Sequence, residues 1–278
     1  MSRSRILLTA AAAAVTALSL AACSPSGGDG GEPASDYVTD GKLTIGTGEP
    51  AYYPWVIDDA PETGEGFEAA VAYAVAEELG FAAEDVVWVR TTFDEAIAPG
   101  PKDFDFNLQQ FSITEERAQN VDFSSPYYET TQVVITTAAS PAADATSIAD
   151  LQGLLIGAQT GTTSFEAAEA TIQPTAGVQV FNTNDDAKLA LENGQVDAIV
   201  VDLPTAFYLT GVELTEGVIV GQLPESSEGG DEFGLVLPKD SPLTEDVTAA
   251  VDALRDNGTL DAIAAEWLAD AGDAPVLQ

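Results

Sequence analysis

Histidine is missing from this chain, cysteine and methionine occur once each, and nine basic residues face 46 acidic ones, for a formal net charge of −37 over 278 residues. Each shortage excludes something. Without histidine there is no Ser-His-Asp or Cys-His nucleophile and no histidine-ligated metal site. One cysteine closes no internal disulfide and builds no multi-cysteine zinc or iron–sulfur centre. Nine basic residues cannot supply the footprint of a nucleic-acid-binding surface. The acidity implies a soluble body repelled by phosphate and anionic lipid, and is silent about what is bound. What is present is 45% hydrophobic residues, enough for a real core, and a length that allows two domains. No motif asks for a cofactor or a metal, and none is expected.

The lone cysteine has a place. Arg3 and Arg5 precede a charge-free, alanine-rich run from Ile6 to Ala22, and Leu20-Ala21-Ala22-Cys23 closes it. The run is at the short limit for a membrane span and reads better as a cleaved signal peptide over residues 1–22. Its end resembles the bacterial lipobox, which implies a lipid on Cys23 and a protein held on the outer face of the membrane by that anchor alone. Cleavage removes Arg3 and Arg5, so seven basic residues face all 46 acids, a charge of −39. The Gly/Ser/Pro-rich segment that follows (SPSGGDGGEPASD) suits a flexible tether spanning roughly 20 Å, and residues 23–40 are assigned to it.

From Lys42 onward, short β-branched runs alternate with amphipathic stretches, the pattern of an α/β protein. Strands are expected at 43–47, 86–89, 103–109 and 131–137, with a helix from Gly66 to Gly80 on the spacing of Phe67, Val71, Ala74, Val75 and Leu79. A second series has strands at 154–158, 178–181, 196–201 and 218–222. Helices are expected from Gly161, over 184–192 before Asn193-Gly194, and from Pro204. A strand at 233–237 and helices at 243–255 and 260–269 close the chain. Two lobes joined by two crossovers follow, residues 41–135 with 232–278 and residues 136–231.

Ligands of open α/β sheets sit beyond the carboxyl ends of strands. The residues there include Tyr52, Trp55, Phe93, Gln109, Gln110, Ser112, Arg117, Thr162, Thr163 and Asp202. Aromatic faces, one guanidinium, one carboxylate and a hydroxyl-rich helix start suit a small zwitterion, and no pair resembles a nucleophile with its base. Plainer readings stand beside this one. Loop aromatics commonly pack, Arg117 can pair in solvent with Glu115 or Glu116, and Gly161-Thr162-Thr163-Ser164 and Asp202 can simply cap helices. Arg90 and Arg255, the other arginines after residue 22, end a strand and a helix.

The ordered segments GKLTIGTGEPAYYPW, GEGFEAAVAYAVAEELGF, FSITEERAQNVDFSSPYY, LQGLLIGAQTGTTS, NGQVDAIVVDLP and ALRDNGTLDAIAAEWL resemble the family 3 solute-binding proteins of amino-acid ABC importers over residues 41–269. The resemblance implies the type II periplasmic-binding fold, two α/β lobes that close on a ligand. It implies that Arg117 pairs with the α-carboxylate, supported by Ser112, Thr162 and Thr163, while Asp202 with Ser112 and the region of Gln110 holds the α-ammonium. Tyr52 and Phe93 would flank the substrate side chain, and Trp55 would line the mouth. The chain departs from the pattern at Gln109-Gln110, at a one-residue extension in GEPAYYPW and at residues 99–103. The expectation is a monomeric, lipid-anchored receptor, not an enzyme, that passes an amino acid to an ABC permease. Two alternatives are a dehydratase on the same fold, with Glu49 or Asp58 as general acid, and a sensory receptor.

Overall fold

The computed structural model describes residues 35–224, 230–268 and 274–278. The signal segment and Cys23 lie outside the described residues. Tyr37 and Val38 are docked: the Tyr37 ring meets Phe81 at 5.0 Å and the Val38 N–H donates to Asp105 at 2.8 Å. Tyr37 and Val38 thus belong to the folded body rather than to the tether expected over residues 23–40, because an aromatic ring found an apolar partner.

Two five-stranded sheets carry the fold. The first runs in the order Val86–Thr91, Leu43–Gly48, Phe106–Asn107, Val236–Pro238, Val121–Phe123. Its first two pairings are parallel, and Val236–Pro238 runs antiparallel to both of its neighbours. Leu43–Gly48 is buried along its whole length, as a strand covered on both faces must be. The helices Phe67–Glu78, Thr244–Asp256 and Thr259–Trp267 belong to this lobe, and Phe67, Val71, Val75, Val247, Val251 and Leu260 join Leu43 and Ile45 in one core.

The second sheet runs Gly217–Gln222, Gln132–Thr137, Ala198–Asp202, Ile156–Gln159, Gln179–Phe181. Its strands feed two cores by alternation. Val134, Ala198 and Val200 face one side with Ile156 and Ile172, while Val133, Ile135, Ile199 and Val201 face the other with Ala187 and Leu191. The helix Asn184–Glu192 covers that second side. A two-stranded antiparallel ribbon, Tyr128–Thr130 with Asp231–Phe233, joins the lobes.

Several sequence expectations change. The run 131–137 belongs to the second sheet, so the first lobe does not extend to residue 135; Gln132–Thr137 pairs with Ala198–Asp202 and Gly217–Gln222, partners that local composition cannot announce. The strand expected at 233–237 is two strands of different sheets with Gly234 between them. A Cβ there would lie 2.8 Å from the Ile113 side chain, so any larger residue would have to displace Ile113. The tail also departs from the expected first lobe. Residues 274–278 dock on the second sheet, where the Gln222 and Ile148 N–H groups donate to the Pro275 and Gln278 carbonyls at 2.8 and 3.0 Å and Leu277 enters the core. The chain thus passes between lobes three times rather than twice. Phe93 opens a short helix, Phe93–Ile97, started by a capping box between Thr92 and Glu95.

Candidate functional site

Arg117 begins a short helical turn, Arg117–Gln119, after the segment that leaves the first sheet, and it is only 8% exposed. Its guanidinium donates to the Ser112 carbonyl at 2.7 Å and, across the lobes, to the Gly161 carbonyl at 2.9 Å. The Phe93 ring lies beneath it, 5.3 Å from guanidinium carbon to centroid. A guanidinium has five N–H donors, and three remain for a carboxylate. Burial pulls its pKa below the ordinary value, while Glu166, Asp231 and Asp202 act in the opposite direction. Arg90 is committed elsewhere, to Asp59 at 2.6 Å and the Gly48 carbonyl at 2.7 Å.

The second lobe meets Arg117 with a helix start. Thr162 caps Thr163–Ala167, its Oγ1 accepting from the Phe165 N–H at 3.2 Å and donating to the Gln159 carbonyl at 2.7 Å. Gly161 just before it has φ +70 and approaches Asp94, which a Cβ would meet at 3.2 Å. Thr163 Oγ1 is 3.0 Å from Ser112 Oγ of the other lobe. Asp202 ends the strand Ala198–Asp202 and precedes the helix Leu203–Tyr208 without capping it by side chain. It keeps some accessible surface but sits deep among protein atoms, and burial, with the Asp231 charge next, pushes its carboxyl up to about 7. Phe93, Gln110, Arg117, Thr162, Thr163 and Asp202 line one cavity of about 40 Å³ between the lobes.

Gln110 adopts φ +51, and its backbone N–H and side-chain amide both donate to Glu68, which fixes it in the cavity wall. Trp55 is not at a mouth: it is 1% exposed, packs edge-on against Phe67, Tyr128 and Phe233, and donates Nε1–H to Thr205 of the second lobe at 3.2 Å. Tyr52 and Trp55 line a second small cavity with Phe93 and Gln110, about 50 Å³. Burial first, then Asp185, drives the Tyr52 phenol well up.

Three polar groups escaped the sequence reading. Glu68 is buried on the helix Phe67–Glu78, accepts from Gln110 and from the Tyr127 hydroxyl, and is pushed by burial up to about 7. Its signal was available, since it shares a helical face with Ala72 and Val75 at i+4 and i+7. Gln132, which opens the strand Gln132–Thr137, donates to both Asp202 and Asp231, the latter at the start of the returning ribbon strand, and nothing local marks either. Glu49 and Asp58 are exposed, Asp58 at the rim of a larger cavity, about 340 Å³. Another cavity of about 250 Å³ extends from Tyr52 and Phe93 past Glu49, Thr91, Asp94, Gln109 and Gln159.

Comparison with known proteins gives one consistent family. The sequence profile of the bacterial extracellular solute-binding proteins, family 3, matches residues 43–270. The L-arginine-binding protein of Pseudomonas aeruginosa is 31% identical over 229 residues, covering 80% of this chain and 86% of that protein. An ancestral arginine-binding protein bound to glutamine superposes with a TM-score of 0.69 at 30% identity, covering 82% and 98%. The ancestral amino-acid-binding protein AncCDT-1, a precursor of cyclohexadienyl dehydratase, gives a TM-score of 0.66 at 30% identity, covering 82% and 95%.

Proposed function

The chain belongs to family 3 of the bacterial extracellular solute-binding proteins, and we propose that it captures an amino acid between its lobes and hands it to an ABC permease, as a monomer held to the membrane by a lipid on Cys23. One observation carries the reading. Arg117 from the first lobe and Asp202 from the second line the same small cavity, one basic and one acidic group set for the two ends of a zwitterion. Ser112 and Thr163 flank it, and Phe93 stacks under the guanidinium.

A cationic side chain fits the 250 Å³ extension. Gln109 spends both amide hydrogens inward, on Thr91 Oγ1 at 2.8 Å and Asn107 Oδ1 at 3.0 Å. Its Oε1 is left beside Gly48, close enough that a Cβ there would lie 3.3 Å away. The reverse orientation fails, because the single Thr91 hydroxyl hydrogen cannot serve the carbonyl oxygens of both Asn107 and Gln109. With Glu49 and Asp94 the wall offers acceptors, and among the described residues no basic one lines it. The L-arginine-binding relative and the arginine complex of the ancestral arginine-binding protein support the same class. A thermal-shift screen of the proteinogenic amino acids and cystine, on protein starting after Cys23, tests this: arginine or lysine should raise the melting temperature most, and no response to any amino acid would sink the proposal.

A second reading rests on the two buried carboxyls near 7, Glu68 and Asp202, which are suited to general-acid work, and on the similarity to a dehydratase precursor. NMR of the bound ligand separates them. An unchanged ligand after prolonged incubation supports transport; a dehydrated product supports an enzyme.

A further inference from the structure

One buried amide touches the hinge, the ammonium carboxylate and the second-lobe helix start at once. Gln132 opens the strand Gln132–Thr137, two residues after the outgoing hinge strand Tyr128–Thr130, and is 7% exposed. Its Nε2 lies 2.8 Å from Asp202 Oδ1, 2.6 Å from Asp231 Oδ2 and 3.4 Å from Thr163 Oγ1. Its Oε1 accepts from Ser164 Oγ at 2.6 Å. The partners set the orientation, since a reversed amide would point its oxygen at two carboxylates. Asp231 is on the returning hinge strand, and Ser112 Oγ of the first lobe lies 3.4 Å from the same Asp231 oxygen.

We infer that Gln132 is a positioning residue for amino-acid capture: its amide ties Asp202 to Asp231 and so couples the ammonium-binding carboxylate to the hinge. This rests on the clamp reading above. Two carboxylates drawn this close in a poorly solvated site repel, and unless donors face them one retains a proton. A protonated Asp202 cannot pair with an ammonium. The charged or titratable groups around Asp202 are Asp231 on the hinge, Glu68 on the first helix, Tyr127 and Tyr128 before and within the outgoing strand, and Arg117. Of these only Arg117 favours the anion, and Gln132 is the neutral donor that assists it. The amide also ties Asp202 to a residue whose position depends on the ribbon between the lobes, so hinge geometry reaches the ligand through one side chain.

The test is Gln132→Met, close in shape but without the donor, with Gln132→Asn beside it as an amide too short to bridge both carboxylates. Binding of L-arginine is measured by calorimetry from pH 5 to 9, and the Asp202 carboxyl is titrated by carbon NMR in the same proteins without ligand. The expected result is a Kd on the order of tenfold weaker at pH 7, with the Asp202 midpoint about one pH unit higher and affinities converging towards pH 9. Asp231→Asn, which removes the neighbouring charge, should move the midpoint the opposite way, and the Gln132→Met shift in Asp202 is the readout that a merely structural Gln132 would not produce. A Met variant that fails to fold leaves the decision to the Asn variant. An unchanged Asp202 midpoint in the folded variants overturns the assignment. If L-arginine does not bind the wild-type protein, the clamp reading fails for that ligand, and the NMR midpoint still judges Gln132.

Discussion

Arg117 keeps its charge in a poor solvent because two backbone carbonyls and the Phe93 ring replace water around it. Arg117→Ala should cost roughly 3–5 kcal/mol in ligand binding, since the ligand carboxylate would be buried unpaired, on the order of 10²–10³ in Kd or more; titration calorimetry measures it. Glu68 shows the opposite case, a carboxyl whose proton burial retains up to about pH 7. Its folded-state pKa stands above its unfolded value, so its stabilising contribution is complete below about pH 4.5 and is lost as pH rises through about 7. A shift of this size corresponds to on the order of 3 kcal/mol. Glu68→Gln should therefore melt above wild type at pH 8 and show a flatter pH dependence from 5 to 8, with Asp202 leaving a residual slope in the same direction. A wild-type slope in the variant would mean that Glu68 is already ionised.

Among the elements, the most exposed to a single change is the contact between the loop after the first strand and the helix Leu203–Tyr208. Thr205→Val removes the acceptor of the Trp55 indole N–H and leaves a buried donor unpaired, about 1–3 kcal/mol. Thermal melts of the ligand-free variant should fall by several degrees. The elements differed in how far they could be read beforehand. The helix Asn184–Glu192 was legible to the residue, with Asn193-Gly194 as its stop, and the structure adds Thr183 as its cap. The helix Phe93–Ile97 was not, since five residues display no period. The run 131–137 was plainly a strand, but its sheet is decided by partners more than sixty residues away. The same non-locality hid Gln132 and Asp231, which become site residues only through pairing, whereas Arg117 and Asp202 stood out by the scarcity of one charge and by motif.

At the level of the whole molecule, three carboxylates (Glu68, Asp202, Asp231) and one guanidinium occupy the region between the lobes. With Asp202 as the proposed ammonium site, an arriving ammonium would lower its pKa, so binding below about pH 7 should release protons and affinity should rise towards pH 8. Calorimetry at pH 6.5 in buffers of different ionisation heat counts them; identical apparent enthalpies would exclude the linkage. The ends of the described chain add a mechanical consequence. Tyr37 is seated against Phe81 on one lobe, while residues 274–278 are stitched to Gln222 and Ile148 on the other. Dyes at Ser35 and Gln278 would therefore each report from a different jaw. Their energy-transfer efficiency should change when ligand is added, so the two ends of the described chain serve as a gauge of the angle between the lobes.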